Sequence, residues 1–272
     1  MNETLKTIHS LRSIHAASDS CFSSKEVTRE DLETILNACV RAASAGNSQS
    51  YSIIVVEDRA VIKEVLRQDG SSALIFCVDY SRLVETAKHL NRSYLVEDII
   101  AFITGSTNAI LAAQTAAIAA KSLGIDSLFT NSVHRGDVAR IYKQFELPEK
   151  YCFPLIALIL GYPAKEPKHP KGRVKKGVIH YGKYHKSTAE EELEEIVQEY
   201  DDPKKDFSMY GEDWKERGFA HYLDYYYNMV ETFRVRMLET GQFYARSQIY
   251  AILKKAGFLE SDIIRKEEKS ST

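Results

Sequence analysis

The chain predicts a layered α+β fold, and three observations predict it. Short runs of β-branched and apolar residues alternate with segments of helical periodicity. One long segment, Asp98 to Leu123, is apolar or small around most of its circumference. The runs end on sharp turn signals such as Gly161-Tyr162-Pro163, and no internal repeat interrupts the alternation.

The elements follow in order after a short N-terminal helix. Thr28 with Asp31 resembles a capping box that has Asp in place of Glu, and it opens a helix to Ala43. Leu32, Ile35, Leu36, Cys39, Val40 and Ala43 form its apolar face. Tyr51 to Val56 is a strand by its β-branched content, Asp58 to Gln68 a short helix, and Ala73 to Val78 a second strand. Asp98 to Leu123 is expected to be buried on all sides, either centrally or against a second subunit, with Gly124 as its C-terminal cap. Ser127 to Thr130 reads as a strand, Gly136 to Gln144 as a helix and Cys152 to Leu160 as a strand. An irregular basic stretch runs from Lys165 to Lys186. Helices are then expected at Glu190 to Tyr200, His221 to Leu238 and Ser247 to Ala256, and a frayed charged tail from about Arg265. The division expected is a core domain over residues 1–186 and a helical C-terminal extension over residues 187–272.

Composition bounds the function. With 272 residues, 44% hydrophobic and 27% charged, the chain has the make-up of a globular protein. A formal net charge of −2 gives no basic field for nucleic acid. No apolar run reads as a membrane span, and Met1 to Lys6 lacks the apolar core of a signal peptide, so a cytoplasmic location is expected. Cys21, Cys39, Cys77 and Cys152 are scattered, which fits reduced thiols better than a disulfide frame or a metal site.

The densest chemistry lies in Ser44-Ala45-Gly46-Asn47-Ser48-Gln49-Ser50-Tyr51. Two amides and a hydroxyl among small residues can present donors and acceptors to a planar, heteroatom-rich ligand at close backbone approach. Two basic clusters, Arg12-Ser13-Ile14-His15 and Lys171-Gly172-Arg173, carry groups suited to phosphate, with Gly172 leaving its neighbours free to converge on one anion. Taken singly, the first reads better as a surface arginine with a helix-capping serine and the second as a solvated basic loop. The eight histidines show no metal-ligand spacing, and no nucleophile elbow, Walker loop or dinucleotide fingerprint is present. The want of a dedicated acid, base or nucleophile points to chemistry carried by a cofactor. The stripe Tyr222, Tyr225, Tyr226, Met229 and Phe233 reads as packing.

Taken together, these segments resemble the FMN-dependent nitroreductase superfamily, in its NAD(P)H-dependent flavin and nitro reductase branch. Arg12-Ser13-Ile14-His15 is similar to an Arg-Ser-x-Arg phosphate motif, and Ser44 to Gln49 to a Pro-Ser-x-x-Asn-x-Gln flavin turn. Ala112-Ala113-Gln114 through Gly124-Ile125 resembles the central helix and its exit. Phe153-Pro154-Leu155-Ile156 to Pro163, then Lys171 and Arg173, resembles the last core strand and a second phosphate clamp. The resemblance implies a mixed sheet flanked by helices, an intertwined homodimer and FMN at the dimer interface. It implies that Arg12, Ser13, Lys171 and Arg173 meet the FMN phosphate. It also implies that Asn47 and Gln49 hydrogen-bond the ribityl chain or ring edge, and that Ser44 lies against the ring. Thr130-Asn131-Ser132 stands where the family often carries a Gly-rich turn beside flavin N5, Ala43 where it usually carries Pro, and His15 where it carries a second Arg, which implies weaker or pH-sensitive phosphate binding. The implied activity is hydride transfer from NAD(P)H through flavin N5 to a nitroaromatic, quinone or flavin. A specialised ene-reductase or dehalogenase-like enzyme, and a flavin storage or sensing protein without turnover, are the alternatives. The extension is expected to wrap the partner subunit or cover the flavin, with Tyr222, Tyr225 or Tyr226 near the substrate.

Overall fold

A computed structural model describes residues 1–15, 21–96, 98–165, 171–205, 207, 213–239 and 246–259. The chain groups into two compact units: residues 1–13, 22–162 and 241–272 form the first, and residues 14–21 and 163–240 the second. The division expected after residue 186 falls inside the second unit. The charged tail expected from about Arg265 lies outside the described residues.

The first unit is built on a sheet whose described strands are β1 (Tyr51–Val56), β2 (Ser72–Asp79), β3 (Asp126–Thr130) and β4 (Cys152–Gly161), in the spatial order β1-β2-β4-β3. Neighbouring strands are antiparallel, with Tyr51 opposite Val78, Ile75 opposite Ala157 and Leu128 opposite Ile159. The described strands thus form an antiparallel sheet rather than the mixed one the resemblance implies, with an isolated parallel bridge between Ser13 and Ser127 beside it. The β2–β4 register slips between Phe76 and Cys77, where Cys77 meets Pro154. Proline has no N–H to give the ladder, and a bulge absorbs the missing bond.

Helices cover both faces of this sheet. They are α1 (Glu3–His9), α2 (Arg29–Cys39), α3 (Arg59–Val61, continuing as a wider turn to Leu66), α4 (Ser81–His89), α5 (Ile99–Ser122), α6 (Ser132–Arg135) and α7 (Val138–Gln144). Next come α8 (Glu190–Tyr200) and α9 (Tyr222–Glu239) in the second unit, and α10 (Arg246–Lys255) in the first. Thr28 caps α2 by accepting from Asp31 N, as expected, but the helix stops at Cys39 rather than Ala43. The Asp31 side chain takes its bond from the Thr28 hydroxyl at 2.8 Å, so the box is closed side chain to side chain. Helix α4 has only Val84 buried, too weak a period for the sequence to announce it.

The central strands alternate between two cores. Leu74, Phe76, Leu158 and Leu160 face α2 and α5, whereas Ala73, Ile75, Cys77, Ala157 and Ile159 face Ile62, Leu66, Val133 and Ile141. Burial on both faces explains the nearly unbroken apolar run of each strand. Helix α5 meets the first core through Ala109, Ala112, Ala113, Ala116, Ala117 and Ala120. Its backbone comes close enough that a Cβ on Gly105 would lie 2.6 Å from Val78 Cγ1. Asp98 caps its start through Ala101 N at 2.6 Å, and Gly124, at φ +76°, follows its end.

Of the two burials expected for α5, the central one does not hold within one chain: Ile99, Ile100, Ile103, Ile110 and Leu111 stand exposed along the face away from the sheet, which leaves the arrangement against a second subunit. The helix is also, among the described residues, long and apolar enough by composition to cross a bilayer, which the reading of apolar runs missed. Its alanine face is nonetheless committed to the sheet, as in the core helix of a globular domain.

Candidate functional site

The Ser44–Ser50 turn precedes β1 and is wound against its own chirality. Ala45–Asn47 makes one 3₁₀ turn, and Gly46, Asn47 and Gln49 have φ of +56°, +52° and +49°. Glycine and asparagine tolerate that region, whereas Gln49 there stores strain that its surroundings must hold. The hold is visible. Ser44 Oγ accepts from Gln49 N at 2.7 Å, and Arg82 donates to the Gln49 carbonyl at 2.8 Å. Buried Asn108, from α5, accepts from Ala45 N at 2.8 Å and donates to Ser50 Oγ at 2.8 Å and Ser48 Oγ at 3.3 Å. What the turn leaves outward is the pair of exposed amides Asn47 and Gln49, 3.4 Å apart, and a Gly46 backbone with nothing within 4 Å of its Cβ direction. The Ser44 hydroxyl, expected against a ring, closes the turn.

Asn108 was not singled out from the sequence. The available signal was a lone amide on the small-residue face of an otherwise apolar helix, where an unpaired polar group would be costly.

The Thr130-Asn131-Ser132 turn leaves the same end of the sheet, because Tyr51 and Phe153 flank Val78 there while Thr130 pairs with Ala157. Two strands lie between and Thr130 is level with Ile54, three residues in from Tyr51, so the two turns start about 14 Å apart across the sheet and about 10 Å apart along it. Thr130 Oγ1 accepts from Ser132 N at 3.2 Å, and the Asn131 carbonyl accepts from the His134 and Arg135 amides. That backbone N–H of Ser132 is therefore engaged. Ser132 Oγ is buried without a hydrogen-bond partner in the protein, an acceptor and donor kept out of water. His134 below it is bonded to the Leu155 carbonyl at 2.7 Å, and burial holds its pKa below the usual histidine range.

Arg12 is engaged by a buried carboxylate. Its Nε and Nη2 lie 3.0 and 2.5 Å from Asp126 Oδ2, while Lys121 Nζ reaches Oδ1 at 2.6 Å. Two cations around one carboxylate leave a net charge of about +1, which favours an anion nearby. Ser13 is exposed beside it and bridges Ser127. Neither Asp126 nor Lys121 was read as part of this cluster.

The second unit holds His15, Lys171 and Arg173. His15 and Lys171 come from distant parts of the chain, yet they are near enough that the ammonium acts on the imidazole. Burial first, and Lys171 second, lower the His15 pKa from 6.5. His15 is thus neutral at neutral pH and can offer a hydrogen bond but no charge. Arg173 is exposed and donates to the Gly172 carbonyl at 2.7 Å. Tyr222 and Tyr225, considered for the substrate side, are buried in the aromatic packing of this unit.

These donor sets fit FMN. Taken separately, exposed amides over bare backbone and a buried orphan hydroxyl each have the donors and acceptors that a flavin's polar groups need, and the cationic clusters suit a phosphate dianion.

Comparison with known proteins agrees with this chemistry. A family model described as Nitroreductase family matches residues 16–162. A protein of Bacillus subtilis named "FMN reductase [NAD(P)H]" is 29% identical over 259 residues, which is 89% of this chain and 98% of the relative. The solved hypothetical oxidoreductase YcnD from Bacillus subtilis is 29% identical with a TM-score of 0.65, over 74% of this chain and 81% of that one. The NfrA1 nitroreductase from the same species, at 23% identity, shares the fold with a TM-score of 0.73 over 94% of this chain and 99% of its own.

Two outcomes follow from the geometry. Asn108→Ala should cost about 2 kcal/mol in urea unfolding, because Ala45 N and Ser50 lose their buried partner. An unchanged midpoint would show that the turn does not hang on α5. His15 should titrate below 6.5 by NMR and move upward in Lys171→Ala. The unfolded chain takes up this proton first, so His15 costs stability as pH falls below about 6.5 and contributes nothing above it.

Proposed function

The chain belongs to the nitroreductase family, and we propose that it is an FMN-dependent oxidoreductase that takes hydride from NAD(P)H and delivers it to an electron-poor acceptor, a nitroaromatic, a quinone or a flavin. The observation that carries this reading is the likeness to an FMN reductase along almost the whole of both chains. When bound, FMN supplies the hydride-carrying chemistry, and the protein supplies binding and orientation.

The roles assigned to the residues follow their donors. Asn47 and Gln49 hydrogen-bond the ribityl hydroxyls or the ring edge over the open Gly46 backbone, and Ser44 keeps the turn in shape. Thr130, Asn131 and Ser132 border the reacting edge, with the unpartnered Ser132 hydroxyl available to it. Lys171 and Arg173 take the phosphate as full charges. Arg12, partly neutralised by Asp126, contributes a weaker positive field with Ser13 as a hydroxyl donor, and His15 contributes a neutral hydrogen bond. None of these groups need exchange a proton with substrate.

A homodimer is part of the same proposal. Ile99, Ile103, Ile110 and Leu111 are exposed at roughly helical spacing on α5, an apolar stripe that a second copy of the chain would cover.

Anaerobic addition of NADH or NADPH to the FMN-loaded protein should bleach the flavin absorbance, and failure of both would sink the oxidoreductase reading. Arg173→Ala should weaken FMN binding by about tenfold or more, the worth of one charge-assisted contact at roughly 1.5–3 kcal/mol. Sedimentation equilibrium should give a dimer that the double variant Ile103→Glu, Ile110→Glu converts to monomer. A wild-type monomer would remove the dimer from the proposal.

A further inference from the structure

We propose that the helical extension is the mount of the phosphate clamp, with Phe207 and Glu199 as positioning residues for Lys171 and Arg173; this rests on the FMN reading above. The clamp needs a mount. Residues 171–175 lie in no helix or extended strand, and Lys171, Arg173, Lys175 and Lys176 repel one another. A free segment of this kind would have to be ordered each time phosphate bound, at a loss of affinity.

Two sets of contacts supply the order. On one side the Phe207 ring lies directly on Gly172. A Cβ at that buried glycine would sit 2.4–2.6 Å from three ring carbons, so no other residue fits without displacing the ring. The ring is itself fixed. It packs on Tyr200 at 4.7 Å and on Tyr222 at 5.9 Å between centroids, and Tyr222 Oη donates to the Phe207 carbonyl at 2.6 Å. Tyr222 is in turn set by Asp201, which ends α8 and accepts from Tyr222 N at 2.8 Å. Asp201 also bonds His221 Nδ1 at 2.7 Å, and that bond raises the His221 pKa.

On the other side the last turn of α8 holds the chain just beyond the clamp. The Glu199 carboxylate accepts from Lys175 N at 3.3 Å and Lys176 N at 3.4 Å, and Lys205 Nζ approaches it at 3.4 Å. Lys176 pairs with Glu195 one turn earlier. The clamp is thus bracketed: aromatic packing grips Gly172, and a helix-borne carboxylate grips two backbone amides three and four residues later. Gly172 was expected to free its neighbours. Its requirement is the opposite, a missing side chain that lets an aromatic ring press the loop into place.

The test compares FMN with riboflavin, which lacks only the phosphate, by quenching of flavin fluorescence on the full-length apoprotein. Phe207→Ala should raise the FMN dissociation constant about tenfold, the size of one lost charge-assisted contact, and leave riboflavin within about twofold. Glu199→Gln, which leaves the aromatic packing intact, should shift the FMN-to-riboflavin ratio in the same direction. Arg173→Ala is the reference for loss of the clamp itself. Equal weakening of both flavins in Phe207→Ala and Glu199→Gln, or no change in either, with Arg173→Ala selective for FMN, would overturn the mount while leaving the clamp standing. No selectivity in the double variant Lys171→Ala, Arg173→Ala would remove the clamp, and the mount with it.

Discussion

The close seating of α5 on the sheet is the constraint from which the first unit follows. Six alanines and Gly105 bring a 24-residue helix within contact of β2, and no bulkier set of side chains would allow it. That seating buries one face of the central strands. It also carries Asn108 into the interior, where the amide meets three groups of the Ser44–Ser50 turn. The turn's left-handed backbone is unfavourable alone, and it persists because its polar partners arrive on a rigid helix. The same seating turns the large aliphatic residues of α5 outward.

The electrostatics have a comparable economy. Asp126 is buried with two cations, and its charge could not remain there with neither. The arrangement fixes Arg12 beside the Ser13–Ser127 bridge, so a guanidinium that would otherwise sample many rotamers has one place. His15, three residues further on, is treated differently. Burial and a neighbouring ammonium lower its pKa and so favour the uncharged imidazole. On the proposed FMN reading, the full charges left to meet the phosphate are those of Lys171 and Arg173.

In the second unit the aromatic residues of the extension do structural work of a kind that their helical spacing only partly announced. Tyr222 stacks with Tyr200 at an interplanar angle of 12° and reaches the Phe207 backbone, and Tyr225 packs edge-on to Phe219. Packing was the expected role of the stripe. That Tyr222 packs on Phe207, the ring that lies on Gly172 of the basic loop, was not expected.

The sequence by itself determined the kind and order of most of the elements, α4 and α6 excepted. Short apolar or β-branched runs marked the four described strands, helical patterning marked α2, α5, α8 and α9, and the amide-rich turn stood out as the polar interruption between α2 and β1. These are local properties, set by which face of each segment is apolar and by residues that tolerate a turn. The tertiary structure decided the rest. Asn108 lies 63 residues from Ala45, and Asp126 lies 114 from Arg12. Such partners are chosen by how helices land on the sheet, and a periodic pattern states that a face is buried without stating what it meets. For the same reason the exposure of α5 could not be read from its composition. An apolar helix has the same sequence signature whether its second face meets a core or lies open, and only the packing of its neighbours distinguishes the two.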